Sequence, residues 1–291
     1  MSNAVVSAFK NKQLRKKLLF TTLILIVVRF GSQLPIPEID SAQISAYLKS
    51  TLGDSFSLLN SFTGGSFMQM SVFALSVTPY ITSSIIMQLM TIAIPKLEEM
   101  QKEGEDGRKK IAEYTRYLTV GLALFESCAM AVGLGGKGLL LEDHRNVWGY
   151  LTVVAAMTAG SALLMWIGER ITDNGVGNGI SIVLLINIVS GTPQDMMTLY
   201  ERFMAGKSVA VATVACIIVL AIIIAIFVFV IILNDAERRI PVQYSKKMQG
   251  RRMIGGQSTY IPLKVNTANV IPVIFASSIM SMPVMIAQFF H

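Results

Sequence analysis

The feature that most constrains this 291-residue sequence is a series of apolar stretches, each long enough to cross the hydrocarbon core of a bilayer, with Lys and Arg crowded between alternate ones. They fall at approximately 18–34, 67–94, 115–134, 147–167, 176–191, 209–233 and 268–290, and a shorter apolar piece lies near 55–63. Composition agrees, with 53% hydrophobic and 15% charged residues and a mean hydropathy of +0.57. A soluble globular fold is excluded by these values, and the chain reads as an all-α polytopic membrane protein. The N-terminal stretch has the basic start of a secretory signal, but the apolar run after it ends at Gln33-Leu34-Pro35 without a small-residue cleavage site, so it reads as a retained first span. Cys128 and Cys216 lie inside apolar spans, where a thiol behaves as a small hydrophobe.

Topology follows from the basic residues between spans. The N-terminus (Lys10, Lys12, Arg15, Lys16, Lys17), the second connection (Lys96, Lys102, Arg108, Lys109, Lys110, Arg116) and the sixth (Arg238, Arg239, Lys246, Lys247, Arg251, Arg252, Lys264) are rich. Intervening connections hold Lys49, then Lys137 and Arg145, then Arg202 and Lys207. The positive-inside rule puts the N-terminus and the rich loops in the cytoplasm. The organisation expected is a basic N-terminus over 1–17, an N-terminal half over 18–191 with five spans, and the start of a second half over 192–291 with two spans and a cytoplasmic loop over 234–264.

The spans differ in character. The sixth is apolar all round and faces lipid. The second carries Pro79, hydroxyls at Thr78, Thr82, Ser83 and Ser84, and Gln88; the fifth opens with GVGNG and contains Asn187; the seventh carries Pro272, Ser277, Ser278, Ser281 and Pro283. Such helices pack against neighbours or line an aqueous space, and three of seven points to a pore or cavity. Arg29 and Glu126 are charges inside spans, each costing about 2.5–3.5 kcal/mol at a helix centre. Arg29 is expected to snorkel outward past Phe30 and Gly31. The 55–63 piece would make a helix of roughly 12 Å, too short to span, so it re-enters the membrane or lies on its surface. From periodicity alone, Val77, Ile81 and Ile85, with Leu184 and Ile188, and Ile271 and Ile274, are packing positions.

GERITDNGVGNGIS at 168–181 and RRIPVQY, GGQSTYIPLKVN and VIPVIFASS between Arg238 and Ser278 resemble signature stretches of bacterial SecY, the channel subunit of the Sec protein translocon. PIPEID at 35–40, FTGGSF at 62–67 and KEGEDGRKKIAEYTRY at 102–117 extend the resemblance over essentially the whole chain. Family members have ten spans, three more than are found here, and Asn269 stands where a glycine is usual. The resemblance implies a SecY-type helical bundle with a re-entrant plug helix and a cytoplasmic N-terminus, in the bacterial plasma (inner) membrane. It makes Val77, Ile81, Ile85, Leu184, Ile188, Ile271 and Ile274 an aliphatic pore ring. It makes Phe56, Leu58, Leu59, Asn60 and Phe62 the plug, with Gly64 and Gly65 as its flexible joint. Thr82, Gln88, Glu126 and Asn266 would belong to the lateral gate. Arg238, Arg239, Lys246, Lys247, Arg251 and Arg252 would dock the ribosome and the SecA motor. Further implied partners are the SecE and SecG subunits, polypeptides bearing signal sequences, and anionic lipid.

Enzyme readings fail on their own terms. GLGGKG at 133–138 lacks the Ser or Thr a phosphate loop carries after its lysine, GVGNG at 175–179 lacks a preceding strand, and Ser161 has no histidine within the spans to act as its base. The expectation is a channel without cofactor or catalysis. The alternative is a secondary transporter for a small solute, which would gather ionisable groups at the midplane where the candidate faces here are aliphatic. A receptor for ribosomes that conducts nothing would use the basic loop and leave the short apolar piece unexplained.

Overall fold

The computed structural model describes residues 11–37, 39–40, 43–46, 60, 63–137, 146–242, 247–249, 252–254, 259–267, 276 and 279–280. It divides into two units, one running to Gln194 and including 274–291, the other Asp195–Val273.

In the first unit, α1 (Lys12–Gly31) begins where the Asn11 side chain accepts a hydrogen bond from the Gln13 amide, and its last turn carries Arg29. The second apolar stretch was expected to be helical from about 67. It is not. Gly64 to Val77 runs as a chain of turns, and α2 (Thr78–Ala93) starts only where Pro79 fits its first turn. Sixteen helical residues rise about 24 Å, short of a full crossing. Two non-glycine residues in the turns, Met70 and Ser76, have positive φ, of 46° and 52°. Irregular backbone survives away from water only where its polar groups find partners. Here Val72 N bonds Leu34 O at 3.0 Å, Ile36 N bonds Met70 O at 3.1 Å, and Pro35 bridges Ser71.

Helix α3 (Pro95–Lys102) bends 102° away from α2. After Gly104 come α4 (Glu105–Gly136) and α5 (Val147–Asn174). Both overrun the expected spans because their helical pattern continues into polar residues beyond the apolar core. Helix α6 (Gly179–Phe203) follows a turn built by the GERITDNGVGNGIS residues. Asn178 Oδ1 accepts from the amides of Ile180 and Ser181, and Gly179 N donates to Thr172 Oγ1 at 2.9 Å. A Cβ on Gly179 would lie 1.9 Å from the Gly168 carbonyl oxygen, so the two helices close tightly there only with glycine.

The turns lie at the centre of the core. Phe67, Met70, Ala74 and Leu75 join Ala123, Met130 and Leu134 of α4 and Val153 and Met157 of α5 in one apolar cluster. Phe73 and Val77 join Val28 of α1, Leu164, Ile167 and Ile171 of α5, and Val183 of α6 in the other.

In the second unit, α7 (Val209–Asp235) has no buried residue among those described and is apolar on every side. The expectation of an all-α chain needs correction beyond it. β1 (Glu237–Val242) pairs antiparallel with β4 (Thr259–Lys264), and β2 (Lys247–Gln249) with β3 (Arg252–Ile254). Backbone groups that leave the membrane without a helix satisfy one another across these ribbons. Pro241 and Pro262 each sit in a strand of a two-stranded ribbon, which keeps further strands from adding. The seventh expected span falls almost wholly outside the described residues. Among those described, α4 to α7 are long and apolar enough to cross a membrane.

Candidate functional site

Polar groups of three helices converge on the two ends of the turn segment. At its start, Arg29 of α1 does not snorkel as expected. Its Nη1 donates to the Gly64 carbonyl at 2.9 Å and to Ser32 Oγ at 3.2 Å, and the Ser32 hydroxyl donates back to the Arg29 carbonyl at 2.7 Å. A guanidinium satisfied by fixed protein oxygens has no need to reach the headgroups. Gly64 has φ of +65°, and a Cβ there would lie 2.9 Å from both the Asn187 carbonyl oxygen and Ser190 Oγ on α6. Gly65, at φ +86°, has open space around it. Of the two glycines of the expected joint, Gly64 is thus pinned between α1 and α6, while Gly65 has room at its Cβ position.

At the far end of the segment, Asn187 Nδ2 donates to Ser76 Oγ at 3.2 Å, and the Ser161 hydroxyl of α5 donates to the Ser76 carbonyl at 3.4 Å. Asn187, Ser76 and Ser161 are all buried. A Cβ on Gly160 would lie 2.0 Å from the Val72 carbonyl oxygen, so α5 presses its backbone directly onto the turns. Asn60, the described member of the expected plug, accepts from Gly65 N and Thr63 Oγ1 through its carbonyl, both at 3.0 Å. Phe56, Leu58, Leu59 and Phe62 lie outside the described residues.

The expected ring residues are in differing surroundings. Val77 is fully buried at the N-cap of α2, and half-buried Leu184 packs against the same cluster. Ile81 is half-buried and Ile85 buried one and two turns along, while Ile188 is 44% exposed on α6. Ile271 and Ile274 lie outside the described residues. Of the expected gate residues, Thr82 is buried and its hydroxyl bonds the Thr78 carbonyl. Gln88 is exposed, Glu126 is buried on α4, and Asn266 is half-buried beyond β4. The polar link between α2 and α4 is instead Ser83 Oγ with Thr119 Oγ1, both buried. Spacing gave Ser83 only as one of a run of hydroxyls, and Thr119 carried no signal. Between α4 and the last turns of α5, Arg116 Nε meets Glu169 Oε1 at 2.7 Å.

In the ribbon, Arg239 stacks over Tyr260 at 4.7 Å from the ring centroid, and Arg238 is exposed. Cross-strand register puts Ile240, Val242, Ile261 and Leu263 together on one side and Arg239, Pro241, Tyr260 and Pro262 on the other. Lys247 and Arg252 lie on β2 and β3, beside the tip that the second strand pair closes. Lys246 and Arg251 lie outside the described residues.

A family model described as SecY matches residues 71–291. The chain belongs to the SecY family. It is 45% identical to the protein translocase subunit SecY of Corynebacterium glutamicum over 295 residues, covering 98% of this chain and 65% of that protein. It is also 45% identical to the SecY of Streptomyces galbus over 301 residues, covering 99% and 68%. The chain thus spans about two thirds of the length of these SecY relatives. Among solved structures, one described as a protein conducting channel matches with a TM-score of 0.55 at 18% identity, over 94% of this chain and 58% of that one. A second, described as concerning the plug domain of SecY and its closed state, matches at 0.56 and 19% identity. Sec61 from a canine ribosome-channel complex matches at 0.56 and 18%, with the same coverage. The SecY fold is therefore common to this chain and those channels, and the chain is a multi-pass membrane protein.

Proposed function

We propose that this chain contributes the larger part of a polypeptide-conducting channel in the bacterial plasma membrane, with its N-terminus and the ribbon loop in the cytoplasm. The channel passes unfolded secretory chains across the membrane and releases transmembrane segments sideways into lipid. The observation that carries the reading is the buried turn segment over Gly64–Val77, hung between α1, α5 and α6 of a SecY-family chain. A solute carrier would gather ionisable groups at the midplane, whereas the candidate waist positions here are aliphatic.

In this reading Val77, Ile81, Ile85, Leu184, Ile188, Ile271 and Ile274 form the waist. Branched aliphatic side chains dewet an empty constriction and form no specific bonds with a passing chain, which suits a conduit for many sequences. Residues 55–63 are the plug. Thr82, Gln88, Glu126 and Asn266 belong to the seam that parts toward lipid. The ribbon loop docks cytoplasmic partners, the SecA motor and the ribosome, through Arg238, Arg239, Lys246, Lys247, Arg251 and Arg252. The ribosome complex of canine Sec61, alike in fold, supports a ribosome as one such partner. SecE, SecG, signal-bearing polypeptides and anionic lipid complete the set.

The test is conductance in planar bilayers, with the protein at full family length and its partner subunits present. Ile81→Ser and Ile188→Ser should each raise the resting ion leak. Currents equal to those of the unsubstituted protein in both variants would make these residues packing positions and remove the waist from the mechanism.

A further inference from the structure

The turn segment is strained and buried; its middle is held by the Leu34–Val72 and Ile36–Met70 bonds and by the apolar clusters, and its two ends by polar side chains of the neighbouring helices. Met70 and Ser76 hold positive φ without being glycine, an arrangement that persists only when the surroundings enforce it. Ser71 Oγ is buried with no hydrogen-bond partner. Both features make the packed arrangement costly and leave it dependent on its fastenings. At the far end these fastenings are the neutral bonds from Asn187 and Ser161 to Ser76. At the near end the fastening is charged, the Arg29 guanidinium on the Gly64 carbonyl, with Ser32 fixing the guanidinium from the other side.

We infer that Arg29 is a positioning residue, a latch that holds Gly64 in its left-handed conformation against the Asn187 backbone and so keeps the Gly64–Val77 segment seated. The inference rests on the channel reading for its purpose, which is to hold the resting state shut. Its geometry stands independently. Gly64 fits against α6 only without a Cβ, and its carbonyl then points back to α1, where Arg29 ends the helix. Arg29 also sits where the helix C-terminus favours a cation, so it is held in place with or without the bond. Losing the bond thus releases the segment and leaves α1 intact. Release at this end leaves the bonds to Leu34 and Ile36 and the far-end fastenings in place, so the loosening is confined to the first residues of the segment, Ser66 among them.

The experiment measures access to the segment. In a background of Cys128→Ala and Cys216→Ala, Ser66→Cys places a single thiol at a position that is 1% exposed and whose hydroxyl reaches the Ser32 carbonyl at 3.5 Å. The probe is a membrane-impermeant maleimide on the complete complex in proteoliposomes. Arg29→Met should raise the labelling rate of residue 66 about tenfold or more, the factor that corresponds to about 1.4 kcal/mol and the low end for a lost bond to a charged group. Arg29→Lys should give a smaller rise, since an ammonium can still donate to the Gly64 carbonyl. A control thiol at Ala123, fully buried on α4, should stay protected in every variant. Where Arg29→Met does not accumulate, Ser32→Ala replaces it, removing the oxygen that fixes the guanidinium from the other side, and should raise the labelling of residue 66 by a smaller factor.

Unchanged labelling at residue 66, or an equal rise at residues 66 and 123, overturns the latch. Recorded alongside, resting conductance separates the two ideas. Labelling that rises in Arg29→Met while neither it nor Ile81→Ser conducts would leave the latch standing and remove its part, and that of the waist, in keeping a channel shut.

Discussion

Replacing Gly160 with Ala should loosen the whole first unit, although Gly to Ala within a helix normally stabilises. The built Cβ would lie 2.0 Å from the Val72 carbonyl oxygen, 2.8 Å from its carbon and 3.0 Å from Val72 Cγ1. Ordinary contact needs about 3.5 Å, so helix and turn must part by roughly 1.5 Å. Two of the three nearest atoms are backbone, and no rotamer change relieves them. Val72 cannot retreat freely, because its amide is bonded to Leu34 O at 3.0 Å. Overpacking of this kind costs about 1–3 kcal/mol, and stretching that hydrogen bond adds up to about 1 kcal/mol. Against this stands a gain of about 1 kcal/mol in helix propensity. The net expectation is a loss of up to about 3 kcal/mol. Gly121 on α4 provides the comparison, with nothing within 4 Å of its Cβ position, so Gly121→Ala should keep the propensity gain. The assay is the thermal midpoint of the detergent-solubilised complex, followed by size-exclusion recovery after heating. A midpoint for Gly160→Ala equal to or above that of Gly121→Ala would refute the close approach of α5 to Val72.

Asn187→Leu removes the donor to Ser76 and leaves its hydroxyl buried; the same thermal assay should register a loss of about 1–3 kcal/mol, and an unchanged midpoint would mean the bond to Ser76 contributes nothing. Arg251→Glu with Arg252→Glu should insert normally, since Arg238, Arg239 and Lys264 still hold the loop inside, but should weaken cosedimentation with ribosomes or SecA and flatten its salt dependence. Equal affinity and equal salt slope for both partners would reduce these arginines to topology signals. Deleting 57–61 should raise resting conductance or relax the demand for a strongly apolar signal sequence, and tight closure with unchanged selectivity would remove the plug assignment.

What could be read from the sequence was whatever depends on local pattern. Helix α7 is Ile, Val, Leu and Ala on every side, and its lack of protein cover follows directly. The α5–α6 turn announces itself through glycines at 175, 177 and 179 and an Asn at the cap. The turn segment was misjudged because Phe67 to Val77 is as apolar as a helix, and hydropathy does not register that its hydrogen bonds run to Leu34 and to residues of α5 and α6. Arg29 was misjudged for the same reason, since its acceptor lies 35 residues away and is a backbone carbonyl, which no side-chain pattern reveals. The ribbons escaped notice because Pro241 and Pro262 interrupt their strands, where proline ordinarily argues against a strand.

The hanging segment also sets a timetable for biogenesis. Residues 64–77 leave the ribosome long before the Gly160–Ser161 pair that they pack on, and Asn187 is made last of all. At about 5–20 residues per second, the 123 residues from Gly64 to Asn187 take about 6–25 s to synthesise. Throughout that interval the Ser76 carbonyl and hydroxyl lack their partners on α5 and α6, and the second apolar stretch has a helix too short to cross alone. It must wait in a sheltered, hydrated place. Nascent chains arrested shortly before and shortly after Asn187 has emerged should therefore differ sharply in how firmly the second stretch resists alkaline extraction, while α7 needs no such wait and partitions into the bilayer by its own composition.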